Sequence, residues 1–188
     1  MTMKPPKKFR LKTLEQARTF VLAVGKCSIF ADKKKDIPSL WDAVDLPEKQ
    51  PGESGWGQKI GAVWSWKNRL PAEFPDEIFY GKDEKGRAVL MTLEHLAAVH
   101  YPQFHRPVEK CSAMAGKIYA LVKVEPMTTT ALRNVIAGKD KARRAAFAKA
   151  LVELQVTLNI VRSNAPEIES DTWLRFAELY PKIAARNQ

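Results

Sequence analysis

Long apolar runs are missing from this sequence: no stretch approaches the roughly eighteen uninterrupted apolar residues that a bilayer-crossing helix needs. Cysteine is scarce. Cys27 and Cys111 are too few for a disulfide framework and too far apart in sequence for a CxxC redox or zinc pair, so a reducing, cytoplasmic compartment is expected. The three histidines, His95, His100 and His105, are five residues apart, which turns each about 140° from the last on a helix and denies them a shared metal face. There is no phosphate loop, no GxGxxG, no HExxH and no GxSxG, so neither cofactor nor metal is expected. The opening MTMKPPKKFRLKT is basic and lacks the apolar h-region of a secretory leader. Its Lys4 to Lys8 segment reads either as part of a flexible basic arm over residues 1–10 or as a frayed terminus.

What the sequence does have is cationic charge. Over 188 residues it carries 31 Lys and Arg against 21 Asp and Glu, a net +10. Such a surplus marks either a polyanionic partner or a solubility device. Its distribution separates these: residues 1–35 hold +8, residues 36–104 hold −4, and residues 105–188 hold +6. Two basic ends around an acidic middle point to distinct cationic surfaces and to nucleic acid. The carboxylate pairs Asp42/Asp45 and Asp76/Glu77 read as surface or capping groups rather than acid–base machinery.

Apolar periodicity organises the chain. Thr13 is placed to cap a helix in which Leu14, Ala17, Val21 and Val24 share a face, and Gly25 stops it. A charged loop (32–36) leads to a short helix or turn around Trp41, and the Pro- and Gly-rich 46–56 stretch reads as a loop. Residues 58–69 form a helix with Ile60, Val63 and Trp64 inward and Pro71 just beyond. Trp66 is expected on another face, packing on a hairpin or stacking on a base or partner. Ile78–Tyr80 and Arg87–Thr92 flank a polar, Gly-bounded tip as a hairpin. A short helix follows from Leu93 to Tyr101, ended by Pro102.

In the second half, Pro107 opens a helix carrying Val108, Cys111, Ala115, Ile118 and Val122, and Glu125-Pro126 ends it. Thr128 to Thr130 cap a short helix with Leu132, Val135 and Ile136 inward, closed by Gly138. A longer helix spans about 140–155, with Phe147, Leu151 and Leu154 as its apolar stripe. Val156 to Arg162 reads as a strand turning at Ser163 to Pro166, and Thr172 to Phe176 as its return. Helix, short helix, longer helix and hairpin is the order of a winged helix-turn-helix. Opposite the apolar stripe of the longer helix, Lys141, Ala145 and Lys149 form a cationic stripe around a small residue, shaped to approach a major groove. Lys139, Arg143 and Arg144 flank it, and Arg162 sits at the wing. A solvated basic face is the competing reading of the same pattern.

Two segments carry a resemblance. Met127-Thr-Thr-Thr-Ala-Leu-Arg133, followed by Phe147-Ala-Lys-Ala-Leu-Val-Glu-Leu-Gln155 and a strand, resembles the second winged helix of AlkZ-like DNA glycosylases, which unhook interstrand crosslinks. Trp64-Ser-Trp-Lys-Asn-Arg-Leu-Pro71 with Phe79-Tyr-Gly81 resembles a motif of the AlkZ-related branch. The resemblance implies an α+β, mostly helical protein of tandem winged helix-turn-helix units with short β-hairpin wings. Residues 11–104 would form the N-terminal unit and 105–188 the C-terminal one, without the third winged helix and C-terminal barrel of the glycosylases. It implies a DNA repair-related protein that binds duplex DNA; the candidate contacts, read from the residues, are Thr129, Thr130, Arg133, Lys139, Lys141, Arg143, Arg144, Lys149 and Arg162. The Gln-x-Gln or Gln-x-Asp pair of those glycosylases has no counterpart: the glutamines here read Gln16-Ala-Arg, Gln50-Pro-Gly, Gln58-Lys-Ile, Gln103-Phe-His and Gln155-Val-Thr. No catalytic residue is therefore assigned. A glycosylase acting on alkylated or crosslinked DNA and a protein-interaction module are the alternative functions.

Overall fold

Local capping chemistry starts and stops the first helix, α1 (Leu14–Val24). The Thr13 side chain accepts from the Gln16 N–H, and Gly25, at φ 73°, donates its N–H to Val21 O. In the computed structural model, which describes residues 9–31, 36–165 and 171–186, α1 is followed by β1 (Lys26–Ser28), α2 (Leu40–Ala43) and α3 (Gln58–Glu73). The strands β2 (Ile78–Lys82) and β3 (Ala88–Thr92) come next. Helical residues then run through α4 (Leu93–His95), a π-helical turn (Leu96–His100) and α5 (Tyr101–Phe104).

A 3₁₀ turn (Val108–Lys110) precedes α6 (Ala113–Val124), β4 (Met127–Thr128), α7 (Thr129–Ile136) and α8 (Lys141–Val156). The chain closes with β5 (Ile160–Arg162), β6 (Thr172–Arg175), α9 (Phe176–Leu179) and α10 (Pro181–Ala185). It divides into two compact units, residues 1–80 with 88–94, and residues 81–87 with 95–188.

The same order of elements occurs twice. Helix, strand, helix, helix, strand, strand describes α1 to β3 and again α6 to β6. Each set of three strands forms a small antiparallel sheet with its last strand in the middle, β1-β3-β2 and β4-β6-β5. Cys27 pairs with Leu90 in the first sheet, and Val161 with Leu174 in the second. The first core gathers Phe20, Val21, Ile29, Leu40, Val63, Leu70, Ile78 and Leu90. The second gathers Ile118, Val122, Leu132, Phe147, Leu151, Leu154, Ile160 and Trp173. Burying each such large apolar side chain is worth about 1.5–3 kcal/mol, and the inward stripe of α8 is thereby held in place.

Several local expectations are corrected. In α3, Trp66 is the buried tryptophan at 5% exposure, and Trp64 is 43% exposed. The inward face is Val63, Trp66, Lys67 and Leu70, an i, i+3, i+4, i+7 set that leaves Trp64 outside. The helix also runs through Pro71, because the burial of Leu70 and Pro71 offsets the missing N–H and Phe74 resumes the ladder to Leu70 O at 3.0 Å. Pro102 does not end its helix: helical residues run from Leu93 to Phe104, and the π-helical turn just before the proline, where the Tyr101 N–H donates to Leu96 O, shifts the ladder at the point where an N–H is missing.

The second half needs corrections too. Pro107 opens only the 3₁₀ turn; α6 starts afresh after Ser112, whose Oγ accepts from the Ala115 N–H. On α7 it is Leu132 that is buried, while Val135 is 65% exposed. Val156 still belongs to α8, and the reversal into β5 passes through Leu158 at φ 55°.

Candidate nucleic-acid interface

Helix α8 begins where Asp140 accepts from the Arg143 N–H at 2.7 Å, an N-cap that satisfies one of the orphan donors of the first turn. Phe147, Ala150, Leu151 and Leu154 are its buried residues. At 100° per residue, Lys141, Ala145 and Lys149 fall within about 80° of one another on the side away from that stripe. Lys139, Lys141, Arg143, Arg144 and Lys149 are all exposed. Among the described residues none of these five pairs with a carboxylate. Arg144 is braced by its Nε, which donates to Gly138 O at 2.7 Å.

The position of these cations works against the helix. Lys141, Arg143 and Arg144 occupy the first turn, where the macrodipole is positive and like charge is unfavourable by some tenths of a kcal/mol each. Exposed Ala142, Ala145, Ala146 and Ala148 lie among them, so the face is both cationic and thin. That combination favours an extended anion that can approach closely. Towards the C-terminal half of α8 the face is less open, because a Cβ at Gly86 would lie 3.7 Å from Val152 Cγ1.

The four other sequence candidates are placed differently. Thr130 is exposed on the first turn of α7. Thr129 is tied into the second sheet: its Oγ1 accepts from Trp173 Nε1 at 2.7 Å and its N–H donates to Asp171 O at 3.0 Å. Arg133 is half-buried, with a buried Nε that finds no hydrogen-bond partner among the described residues. The Arg162 side chain is only 12% exposed and its Nη1 lies 3.5 Å from Asp171 Oδ1. Asp171, ahead of β6, is the residue that sequence reasoning overlooked, and it engages both Thr129 and Arg162. The turn at Ser163 to Pro166 is described only as far as Ala165. The arm at Lys4 to Lys8 and the charged loop at 32–35 lie outside the described residues.

A family model described as AlkZ related matches residues 11–172. The chain belongs to the AlkZ-related family. The match takes in both repeats of the element order, from the residue that pairs with Val44 at the foot of the first unit to the first residue of β6. Comparison with curated proteins and with solved structures returned no match. In this AlkZ-related chain two of the glutamines serve local structure: Gln16 Oε1 accepts from the Lys12 N–H at 2.7 Å, and Gln155 Nε2 donates to Leu151 O at 3.0 Å.

The remaining titratable groups of interest are structural. His105 stacks on Tyr101 at 4.5 Å with its Nδ1 3.2 Å from Thr157 O, and burial lowers its pKa. Burial pushes the Cys27 thiol up to about 12. No cluster of three or more His, Cys, Asp or Glu that would hold a metal ion occurs among the described residues, and no helix there is long and apolar enough to cross a membrane.

Proposed function

We propose that this AlkZ-related protein is a DNA-binding, DNA repair-related protein built from two winged helix-turn-helix units. On this reading α7 and α8 are the helix-turn-helix of the second unit, α8 lies along the major groove of duplex DNA, and the paired strands β5 and β6 belong to the wing. One observation carries the proposal: five exposed cations on α8 and its leading turn form no ion pair with a described carboxylate, while the helix's apolar stripe is buried. A cationic face that costs helix stability and is not neutralised internally has its natural counter-charge in phosphate.

The repeated element order, with the last strand central in each sheet, supports reading both units as winged helices. Family membership supports the link to DNA repair. The site has Thr130 and the five cations as its contacting set. Thr129 and Arg162 support it from within, through the β6 attachment and the Asp171 pair, and Arg133 lies half-buried on α7. Binding of duplex DNA, measured as a function of salt, tests the proposal: affinity at about 50 mM salt that falls steeply with ionic strength is expected, and its absence at low salt refutes it. Incubation with alkylated or crosslinked duplex, read as released base, separates binding from excision.

A further inference from the structure

The first unit carries a cluster that the duplex reading does not use. Trp56 and Trp64 meet edge to face with centroids 5.6 Å apart, and they are 67% and 43% exposed. Behind Trp64 the Lys67 ammonium lies 4.0 Å from the indole centroid and 5.1 Å from that of Tyr80, with only 6% of the residue exposed. Its Nζ also reaches Asn68 Oδ1 at 3.3 Å. A second lysine of α3, Lys59, sits 4.6 Å from the Trp41 centroid.

An exposed indole pair can serve simply to pin a loop. Here the loop that ends in Trp56 is already held by other means. The Lys59 N–H donates to Pro47 O at 3.1 Å, Lys59 Nζ bonds Glu48 at 2.8 Å, and Glu53 and Gln50 exchange hydrogen bonds. Gly57 passes so close to Lys49 that a Cβ would lie 2.8 Å from its backbone nitrogen. Trp56, mostly in water at the end of a loop so fastened, and Trp64, partly exposed on α3, forgo burial that each could gain.

We propose that the Trp56–Trp64 pair is a stacking site for a nucleobase that has left the duplex stack, with Lys67 fixing the Trp64 ring from behind. The proposal rests on the reading of the chain as a DNA-binding protein. An indole face accepts any base.

The test measures binding of a short oligo(dT) and of a fully paired duplex at about 50 mM salt, by anisotropy and by quenching of tryptophan fluorescence. Trp56→Ala and Trp64→Leu are each expected to weaken oligo(dT) binding about tenfold, within the roughly 5- to 150-fold range of a lost stacking contact, and to leave duplex affinity within about twofold. Trp56 is the more exposed ring, so Trp56→Ala carries the test if Trp64→Leu lowers the unfolding midpoint. Unchanged oligo(dT) affinity in Trp56→Ala, or an equal loss for duplex, overturns the stacking site while duplex binding through α8 stands. Tryptophan-dependent oligo(dT) binding with no duplex binding sustains the stacking site and overturns the α8 reading. No affinity for either DNA, including the case of a protein partner seated on the indoles, overturns both.

Discussion

Reversing the charge of Lys141 and Lys149 together isolates the electrostatics of α8 from its packing. Both side chains are exposed and lie opposite the buried stripe, so Lys141→Glu/Lys149→Glu touches no core contact. Each phosphate neutralised contributes about −0.9 to the slope of log K against log salt. If all five exposed cations of the face engage, the wild-type slope is about −4.5, and the double variant retains about −2.7. Between about 50 and 200 mM salt, wild-type affinity for duplex DNA then falls about 500-fold and that of the variant about 40-fold. At about 50 mM the variant binds more weakly by roughly two orders of magnitude. Stability moves the other way. Glutamate in the first turn of α8 suits the macrodipole better than lysine, so the unfolding midpoint should not drop. Anisotropy titrations across salt, with thermal melts of both proteins, measure both quantities. An unchanged slope and affinity in a variant that melts like the wild type would refute the role assigned to α8.

Three further outcomes follow from the geometry. Asp140→Ala removes the α8 N-cap and should cost about 1 kcal/mol in urea unfolding without changing the denaturant slope. Arg18 grips Glu77 with Nε and Nη2 at 2.7 and 2.6 Å and holds its carboxyl below the usual range. The folded pKa is the lower one, so the stability it confers is present above the unfolded value near about 4.3 and is lost as pH falls through the folded value. The gap in unfolding midpoint between wild type and Glu77→Gln should therefore close from pH 7 toward acid, and a gap that stays constant contradicts the pairing. Cys27, buried and pushed up to about 12, should resist alkylation at pH 8 in the native protein. Half-buried Cys111, raised less, should label first by mass spectrometry, and faster labelling of Cys27 would contradict its placement.

What the sequence alone determined was mostly what four neighbouring residues decide among themselves. Thr13, Thr128 and Asp140 cap the helices they precede because their side chains reach an N–H three residues on. The Phe147/Leu151/Leu154 stripe was legible because it repeats at helical spacing over several turns, and the cationic face opposite it followed.

Tertiary structure decided the rest. Val63 and Trp64 are adjacent, and which neighbours define the inward face of α3 depends on what packs against it, so Trp66 rather than Trp64 is buried. Val135 belongs to an apolar pattern too short to impose its own orientation, and it remains in water. Arg162 meets Asp171 only because β5 and β6 pair, and Arg18 meets Glu77 across 59 residues of sequence. A cation's local neighbours say that it is charged. Whether that charge is spent on an internal carboxylate or left for a partner is set by which distant segments the fold brings beside it.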